Sequence, residues 1–572
     1  MNPVQLLSHF DRISDVPDAI PRLRLFILDL AVRGKLVEQD PRDEPAYELL
    51  KRIQVEKERL VKGGTIRKEK PLPLVPEDEL PFEIPSNWHW SQLAEVGFIN
   101  PRNTAEDGLA TAFVPMPLIS ADFGVANKHL VRQWSEIKSG YTHFAEGDVA
   151  LAKITPCFEN RKSTVFRELT GGIGAGTTEL HIIRPILTDA EFLLIFLKCP
   201  HFIETGIPKM TGTAGQKRVP TEYFSYSPFP LPPLAEQHRI VAKVDELMGL
   251  CDRLEAAQAD RESQRDRLAA ASLHRLNNGA DANAFRNHAR FYFNQLPRLT
   301  TRHKHIQQLR KTILNLAVHG RLVPQDPNDE PALQLLKRIQ AEKARLVEEG
   351  KIKKFDPVEP PCNSDFPSEL PSGWTAANLQ SVCISVTDGD HLPPPKTDHG
   401  IPFLVIGNVR SQTMNFVGCR YVSEQYYNAL DSIRRPEKGD VLYTLVGSYG
   451  IPIMVTDDRP FCVQRHIGIL RPSTAINAGF ISHVLESQWV FDQATACATG
   501  IAQKTVPLSG LRRILISLPP LAEQHRIVAK VDELMALCDR LEAQLTTTQT
   551  ESRRLLEAVL HEALAPALEK IA

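Results

Sequence analysis

One stretch of the sequence occurs twice and differs at a single position. Residues 231–256 read LPPLAEQHRIVAKVDELMGLCDRLEA, and residues 518–543 read LPPLAEQHRIVAKVDELMALCDRLEA, displaced by 287 residues. A second stretch, LAVRGKLVEQDPRDEPAYELLKRIQVEKERLV at residues 30–61, returns as LAVHGRLVPQDPNDEPALQLLKRIQAEKARLV at residues 316–347, displaced by 286 residues. Two copies of so long a unit predict a duplicated architecture with pseudo-twofold symmetry, whereas a solenoid needs three or more short repeats.

Each half of the chain therefore has the same order of parts. The stretches at 30–61 and 316–347 are termed the A repeats, and those beginning at residues 231 and 518 the B repeats. Between them lie two variable regions that are hardly related to each other. The predicted segments are a helical repeat (1–85), the first variable region (86–230), a long helix (231–278), a linker with the second helical repeat (279–371), the second variable region (372–517) and a second long helix (518–572).

The B repeats predict long helices, from Leu234 to about Asn277 and from Leu521 to Ala565. Their apolar residues follow the 4-3-4-3 spacing of a coiled-coil seam. The seam positions are Ile240, Val244, Leu247, Cys251, Leu254, Ile527, Val531, Leu534, Cys538 and Leu541. The simplest partner for each seam is the other copy, which would make an antiparallel pair. Packing of each helix within its own half is the alternative.

Both variable regions predict modules that mix helices with short strands. The predicted strands are FVPMPLIS, DVALAKI and LHIIRP in the first region, and IPFLVIGNV, DVLYTLV and HIGILRP in the second. Both regions place Gly-Asp-Val before a strand, at Gly147 and Gly439, and Gln-Lys-x-Val-Pro near their ends, at Gln216 and Gln503. These shared features predict one fold that presents two different surfaces.

These motifs resemble the specificity subunit of type I restriction-modification systems. GDVALAKITPCFENRK, GIGAGTTELHIIRP and MTGTAGQKRVP are similar to one version of that family's target recognition domain, and TDGDHLPPPKTDHGIPFLVIGNV is similar to another. LPPLAEQHRIVAKVDELM resembles the family's helical element. The resemblance implies an α+β fold in which an antiparallel coiled coil of long helices holds two target recognition domains apart. It also implies a subunit that reads a bipartite DNA target.

The resemblance further implies a set of partners and a chain without catalytic residues. The expected partners are double-stranded DNA, two copies of an adenine methyltransferase subunit and, in the full complex, the motor and restriction subunits. S-adenosylmethionine, ATP and magnesium are expected on those partner subunits, with no cofactor and no metal bound by this chain.

The residues themselves agree with a chain that lacks its own chemistry. No G-x-x-x-x-G-K-[ST] nucleotide loop and no Asn-Pro-Pro-Tyr or Asn-Pro-Pro-Phe methyltransferase motif occurs. The nine cysteines are scattered, which predicts neither a disulfide framework nor a zinc site. The glycine-rich GGIGAG at 171–176 lacks dinucleotide-loop spacing, so we expect a turn beside DNA or solvent. No apolar run of membrane-spanning length occurs, so a cytoplasmic protein is expected.

Candidate DNA-binding residues are polar side chains in predicted loops, because base edges and phosphates are contacted by such groups. In the first variable region the candidates are Lys153, Thr155, Asn160, Arg161, Lys162, Thr177, Gln216, Lys217 and Arg218. In the second they are Asp388, Asp390, His391, Lys396, Arg410, Gln464, Arg465, His466, Gln503 and Lys504. The net charge of −2 supplies no electrostatic footprint for nucleic acid. We therefore expect tight DNA binding to require the methyltransferase subunits.

Three alternatives stay open at this point. A coiled-coil scaffold that joins two protein partners without sequence-specific DNA binding would have the same repeats. A self-contained restriction enzyme would need the nucleotide and cofactor motifs that the sequence lacks. The amphipathic A repeats either pack locally against the long helices or contact the methyltransferase.

Overall fold

The chain divides into two compact units in the computed structural model. Residues Met1–Arg261 with Gln549–Ala572 form the first unit, and Glu262–Thr548 form the second. The structure describes residues 16, 18–63, 72, 80–213, 215–278, 281–353, 358–362, 365–366, 369–391, 395, 397–409, 413–501 and 503–564.

The first half of the chain contains eight described helices and ten strands. The helices are α1 Ala19–Val32, α2 Ala46–Lys62, α3 Leu93–Val96, α4 Trp134–Ile137, α5 Ala190–Lys198, α6 Pro200–Gly206, α7 Thr221–Tyr226 and α8 Leu234–Asn278. The strands are β1 His89–Gln92, β2 Gly97–Ile99, β3 Ala110–Val114, β4 Leu130–Gln133, β5 Thr142–Ala145, β6 Val149–Ala152, β7 Ser163–Val165, β8 Ile173–Gly176, β9 Leu180–Pro185 and β10 Pro228–Leu231.

The second half repeats this arrangement with two added helices after α8. Its helices are α9 Ala282–Asn294, α10 Leu296–Leu299, α11 His303–Val318, α12 Ala332–Glu348, α13 Leu379–Val382, α14 Glu424–Ala429, α15 Ala478–Glu486, α16 Gln488–Cys497, α17 Leu508–Arg513 and α18 Leu521–Leu564. Its strands are β11 Thr375–Asn378, β12 Cys383–Asp388, β13 Ile401–Leu404, β14 Arg420–Val422, β15 Val441–Thr444, β16 Pro452–Met454, β17 Cys462–Val463, β18 Ile467–Pro472 and β19 Leu515–Leu518.

The two variable regions share one sheet topology. The first contains a four-stranded sheet of order β2-β9-β6-β7 and a second of order β4-β3-β8-β5. The second contains the matching order β12-β18-β15-β16 and a three-stranded sheet of order β14-β13-β17, which matches β4-β3-β8 without a described counterpart of β5. An antiparallel pair ties the start of each region to its end, β1 with β10 and β11 with β19. The α+β fold class is therefore shown, and each variable region is closed on itself between an A repeat and a B repeat.

The shared Gly-Asp-Val motif builds the same buried ion pair in both regions. Asp148 is almost fully buried, and its carboxylate accepts two hydrogen bonds from the Arg184 guanidinium, both at 2.8 Å. Asp440 pairs with Arg471 in the same way, at 3.0 and 2.9 Å. Gly147 precedes the first aspartate with φ of 82°, a conformation that glycine adopts without strain. The motif thus fixes the strand from which the candidate loop leaves.

The A and B repeats of the first half contact each other. The Gln39 side-chain amide donates to the Glu236 carboxylate at 2.7 Å, and Arg239 pairs with Asp43 at 2.6 Å. Both partners from the A repeat lie in its QDPRDEP loop, and both partners from the B repeat lie in EQHR.

The second half forms the same contact between its A and B repeats, which we term the A–B joint, with the matching residues. Gln325 donates to Glu523 at 3.0 Å, and Arg526 pairs with Asp329 at 2.6 Å. The local-packing interpretation of the A repeats is therefore confirmed for this loop. Because A and B repeats form one interface, a change in either would break it, which explains why both are preserved together between the halves.

The glutamine of EQHR links each joint to the variable region. The Gln237 side chain is buried, donates to the Pro232 carbonyl at 2.9 Å and accepts from the Asp189 amide at 2.8 Å. Gln524 makes the same two bonds in the second half, at 3.0 Å each. Since the backbone ahead of α5 is held in this way, each variable region is anchored directly to its long helix.

Both long helices are confirmed, with bounds close to those expected. The structure has α8 at Leu234–Asn278 and α18 at Leu521–Leu564. Residues after Glu262 in α8 belong to the second unit, and residues after Gln549 in α18 belong to the first.

The partner of the first seam differs from the expectation. Ile240, Val244 and Cys251 are buried, and Leu247 and Leu254 are half-buried. The same buried cluster contains Ile20, Ile27, Leu28, Ala31 and Val32 of α1. Among the described residues it contains none from α18, which we had expected to cover this seam. Helix α1 takes that place because it carries its own apolar stripe and is joined to its half by the A–B joint.

The second seam is covered in a related way. Ile527, Val531 and Cys538 are buried, and Leu534 and Leu541 are half-buried, in one cluster with residues of α11. The end of α8 also joins this cluster through Ala269, Leu273 and Leu276. In both units an arginine of the covering helix, α1 or α11, supports the contact, since Arg24 pairs with Asp252 at 2.6 Å and Arg310 pairs with Asp539 at 2.6 Å.

Candidate nucleic-acid interface

The candidate residues of the first variable region lie on backbone segments that hydrogen bonds hold together. The Thr155 amide donates to the Lys217 carbonyl at 2.9 Å, and the Val219 amide donates to the Lys153 carbonyl at 2.8 Å. The Lys153 amide in turn donates to the Glu179 carbonyl at 2.9 Å. The loop after β6, the turn before β9 and the Gln-Lys segment therefore form one surface, which we term the first ladder (153–162, 177–179 and 215–219).

The side chains of the first ladder differ in how free they are. Asn160, Gln216 and Lys217 are exposed, whereas Lys153, Thr155, Arg161, Lys162 and Thr177 are half-buried. Arg218 is held by two hydrogen bonds to Glu179, at 2.9 and 2.8 Å. These bonds from Arg218 hold the pKa of the Glu179 carboxyl below its usual value. Arg218 thus braces the ladder internally, while Lys217 beside it projects an exposed charge.

A buried lysine that sequence reasoning missed supports this loop from below. The Lys198 side chain is 2% exposed, and its ammonium donates to the carbonyls of Ala121 at 2.9 Å and Arg161 at 3.1 Å. Burial lowers the pKa of this lysine to about 7. One signal was present in the sequence, because a lysine that ends the apolar run AEFLLIFLK follows a stretch that must be buried, and a lysine stays in the core only where it finds polar partners.

The second variable region forms a matching ladder with different residues. The Gly447 amide donates to the Lys504 carbonyl at 3.1 Å, and the Val506 amide donates to the Leu445 carbonyl at 2.8 Å. The Leu445 amide donates to the His466 carbonyl at 2.9 Å. These segments form the second ladder (445–449, 464–466 and 503–506), which repeats the backbone hydrogen bonds of the first. The expectation that the two Gln-Lys groups occupy matching positions is therefore confirmed.

The exposed chemistry of the second ladder is its own. Arg465, Gln503 and Lys504 are exposed, and Gln464 and His466 are half-buried. Burial, reinforced by the neighbouring charge of Arg465, lowers the pKa of His466. An imidazole stands here where the first ladder carries the Glu179 carboxylate, so the two surfaces differ in chemistry at a matching position.

The acidic candidates of the second region lie in a separate cluster at the end of β12. Asp388 is 6% exposed, and its carboxylate pairs with His391 at 3.0 Å. Asp390 accepts a hydrogen bond from the Tyr426 hydroxyl at 2.5 Å, and Arg434 lies 3.6 Å from it. Burial and the bond to Asp390 raise the pKa of Tyr426. Asp388 is thus a buried carboxylate with one oxygen paired to His391 and the other 3.7 Å from the Arg434 guanidinium, and His391 is the exposed member of this cluster.

Three expectations need a remark. Lys396 and Arg410 lie outside the described residues. The glycine-rich run at 171–176 is only in part the expected turn. Gly171 and Gly172 lie in an exposed turn with positive φ, whereas its second part forms strand β8 between β3 and β5. A side chain on Gly174 would meet the Ala112 carbonyl oxygen and would lie 2.6 Å from the Phe144 ring, so close packing within the sheet requires glycine there.

The described part of the chain contains no group of three or more His, Cys, Asp or Glu side chains arranged to share a metal ion. Nor does any helix there combine the length and the apolar character needed to cross a bilayer.

Comparison with known proteins identifies the family. The family model for the type I restriction modification DNA specificity domain matches residues 371–548. The specificity subunit of the type I restriction enzyme EcoEI from Escherichia coli is 40% identical over 567 residues, covering 95% of this chain and 94% of that protein. The chain belongs to the family of type I restriction specificity subunits. Members of this family provide DNA recognition and not catalysis, so this specificity subunit is not itself an enzyme.

Other relatives agree. The EcoAI specificity subunit of Escherichia coli is 37% identical to this specificity subunit over 561 residues, covering 95% of this chain and 94% of that protein. Among solved structures, the HsdS subunit from Thermoanaerobacter tengcongensis is 21% identical and superimposes with a TM-score of 0.46, covering 85% of this chain and 98% of that one. That structural likeness is too weak to carry an argument.

Proposed function

We propose that this specificity subunit reads a bipartite DNA target, one part with each variable region. The variable regions act as target recognition domains, and the two ladders with their neighbouring loops face the DNA. The observation that carries the proposal is that the two ladders repeat the same backbone bonds while presenting different side chains. A common frame with Asn160 and Glu179 on one copy and Arg465 and His466 on the other suits the reading of two unlike sequences.

The long helices act as the spacer between the two parts of the target. Helices of 45 and 44 residues are each roughly 65 Å long at a rise of about 1.5 Å per residue. We propose that they run antiparallel and keep the two recognition domains a fixed distance apart. The length of DNA that is not read between the two half-sites then depends on the helices and not on either recognition domain.

Two copies of an adenine methyltransferase subunit dock on the repeated surfaces. The A helices α2 and α12 bury one apolar stripe and present the same polar residues outward. These exposed matching residues are Lys51, Arg52, Gln54, Lys337, Arg338 and Gln340. Because the two faces carry the same sequence, one partner surface fits both. The restriction and motor subunits join the complex through the methyltransferases.

The chemistry of modification and cleavage resides on those partners. We propose that S-adenosylmethionine binds the methyltransferase, that ATP and magnesium bind the motor and restriction subunits, and that none of them binds this chain. The net charge of −2 provides little general attraction to phosphates. Tight DNA binding therefore needs the methyltransferase subunits to enclose the duplex.

The decisive experiment is modification-sensitive long-read sequencing of DNA from cells that carry the specificity subunit and its methyltransferase. The control strain lacks only the gene for the specificity subunit. We expect methyladenine in a split motif with a constant gap, absent from the control. Identical methylation in both strains would contradict the proposal and favour a scaffold that joins proteins without reading DNA.

Matched variants test whether both ladders face the DNA. Lys217→Ala and Lys504→Ala remove exposed charges at matching positions. Each should reduce the slope of log binding constant against log salt concentration by about one, the amount expected for one lost phosphate contact. The measurement is fluorescence anisotropy of target DNA with the assembled methyltransferase complex over a range of salt concentrations. Arg42→Ala, which removes an exposed charge in the A–B loop, is the control and should leave the slope unchanged. An unchanged slope for either lysine variant would show that its ladder does not lie on the DNA.

A further inference from the structure

The ends of the two long helices dock in the two units on matching segments with opposite chemistry. The tail of α18 (549–564) packs in the first unit against the segment ahead of α1, and the tail of α8 (262–278) packs in the second unit against the segment ahead of α11. The A repeats are displaced by 286 residues and the B repeats by 287, so every position in one contact has a counterpart in the other.

In the first unit the ion pair between positions 18 and 553 has its acid on the docking side and its base on the tail, whereas the neighbouring pair of Arg22 with Glu557 has the opposite polarity. The Asp18 carboxylate lies 3.6 Å from the Arg553 guanidinium and 2.9 Å from that of Arg22. Arg22 also pairs with Glu557 at 2.8 Å, one turn further along the tail. Asp18 is therefore the acidic centre that receives Arg553.

In the second unit the signs are reversed. Lys304 stands at the position of Asp18, and Asp266 stands at the position of Arg553. The Asp266 carboxylate forms ion pairs with Lys304 and Arg302, and it lies 2.7 Å from the His305 ring nitrogen. Here the docking segment is basic, and the tail supplies the acid.

The packing of the two contacts is reversed as well. In the first unit Ala19 and Leu556 are buried in one small cluster with Val16 and Val559, a small residue on the segment against a large one on the tail. In the second unit the residues at the matching positions are His305 and Ala269, both buried, so the larger residue stands on the segment and the smaller one on the tail.

We propose that these reversed contacts form two mutually exclusive docking pairs, so that each helix tail accepts its own segment and rejects the other. If the α8 tail met the first segment, Asp266 would face Asp18 and Ala269 would leave a gap beside Ala19. If the α18 tail met the second segment, Arg553 would face Lys304 and Leu556 would crowd His305. Like charges and mismatched volumes disfavour both wrong pairings.

This device meets a need that the duplicated sequence creates. Residues 231–256 and 518–543 of the two B repeats differ at one position. These stretches therefore cannot determine which tail docks in which unit. Without the reversal, the tail of one molecule could dock on the equivalent segment of a second copy and link chains together. The inference concerns the assembly of the chain with itself and does not rest on the proposed reading of DNA.

The test uses full-length variants with the same composition and net charge. Exchanging the tail charges (Asp266→Arg with Arg553→Asp) or the segment charges (Asp18→Lys with Lys304→Asp) makes the native pairs at positions 18 and 553 and at positions 304 and 266 like-charged. It makes the corresponding wrong pairs complementary, while Arg22 and Arg302 stay unchanged. Combining all four changes restores two complementary native pairs with the signs inverted. Each protein is refolded from denaturant at low salt, and its monomer fraction is measured by size-exclusion chromatography with light scattering.

We expect each double variant to lose monomer by roughly tenfold in favour of multimers, since like charges at such distances oppose docking. The fourfold variant should recover most of the monomer. Salt near 0.5 M should reduce the defect of the double variants, because the Debye length is then only about 4 Å. Double variants that remain as monomeric as the parent would overturn the proposal. A fourfold variant with no more monomer than the double variants would also overturn the proposal, and so would aggregation of all three variants. Either result would show that these positions tolerate no change, whatever the sign of the charges.

Discussion

Strands β9 and β18 occupy the same place in the two recognition domains, but they are packed in different ways. The first carries His181, whose imidazole nitrogen donates to the Val219 carbonyl at 2.9 Å and whose ring stacks on Phe224. The second carries Gly468 at that position, and Leu511 fills the space, since a side chain on this glycine would lie 3.2 Å from it. The backbone frame is thus kept while the layer beneath the ladder is rebuilt.

The same contrast holds at the edges of the ladders. Lys198 anchors the loop of the first domain, whereas Glu486 ends the matching helix in the second. The buried Asp–Arg pairs behind the ladders are identical in both. The comparison teaches that the parts that hold the strands are common to both domains, and that the parts beneath and on the loops differ between them. A substitution in a part common to both domains should therefore affect each domain alike, and a substitution in a part that differs should affect one domain alone.

The largest effect is expected from the common part. Arg184→Met and Arg471→Met each leave a buried aspartate without its partner, which should lower the free energy of unfolding of the affected domain by roughly 3–4 kcal/mol. Hydrogen exchange of β9 and β18 in the full chain measures each domain separately. Lys438→Met removes an exposed ion pair with Asp458 and should change stability by about 0.5 kcal/mol or less. A large loss in one domain and none in the other would break the idea of a common frame.

An intermediate effect is expected from His181, which the second domain lacks. Burial lowers the pKa of His181 to about 4, from an ordinary value of 6.5. The unfolded chain therefore binds the proton more readily between pH 6.5 and 4, so the stabilising contribution is present above pH 6.5 and lost as the pH falls. Between pH 7 and 4.5 the first domain should lose about 2.5 kcal/mol through this group.

Hydrogen exchange at both pH values, corrected for the intrinsic rates, tests the acid response. His181→Gln keeps a hydrogen-bond donor for the Val219 carbonyl but does not titrate, so the pH dependence of β9 should become flatter by about that amount. Strand β18 serves as the internal reference, because Gly468 contributes no titrating group. A variant with an unchanged pH response would assign the acid sensitivity to another residue.

Substitution of Lys198 is expected to have the smallest effect on stability, but to change the selection of bases at one half-site of the target. Lys198→Met leaves backbone carbonyls of the loop without their donor, at a cost of about 1–2 kcal/mol. We expect faster hydrogen exchange across residues 153–162 and weaker selection at one half-site, with the other half-site read as before. Methylation of DNA with single-base changes in each half-site measures the difference. Equal loss of selection at both half-sites would contradict the assignment of this loop to one part of the target.

Much of the fold could be predicted because its signals are local in the sequence. The bounds of α8 and α18 follow from their apolar spacing and from the prolines ahead of them. Strands β6, β9, β15 and β18 fall within the predicted segments. The match between the ladders followed from Gln216 and Gln503, which stand in the same short motif. In each case neighbouring residues carry the information.

Parts of the site could not be predicted, because burial depends on distant residues. Asp388 has the composition of a surface contact, but His391 and Arg434 hold it inside the domain. The glycine run at 171–176 has the composition of a turn, but only its first two glycines form one, and Phe144 and the neighbouring strand require glycine at Gly174 and Gly176. Lys198 is surrounded by carbonyls from two separate loops. Composition alone does not distinguish such a residue from an exposed one.

The sequence by itself determined the duplication, the two long helices, the family and the shared motif of the two recognition domains, because each is written in contiguous residues. The tertiary structure decided that the A repeat meets the B repeat at Gln39 and Glu236, that α1 covers the first seam, and that Asp18 and Arg553 form one contact while Lys304 and Asp266 form its inverse. Those pairs join residues tens to hundreds of positions apart. Their complementarity exists only when the chain has brought them within a few ångströms, where charge and volume act.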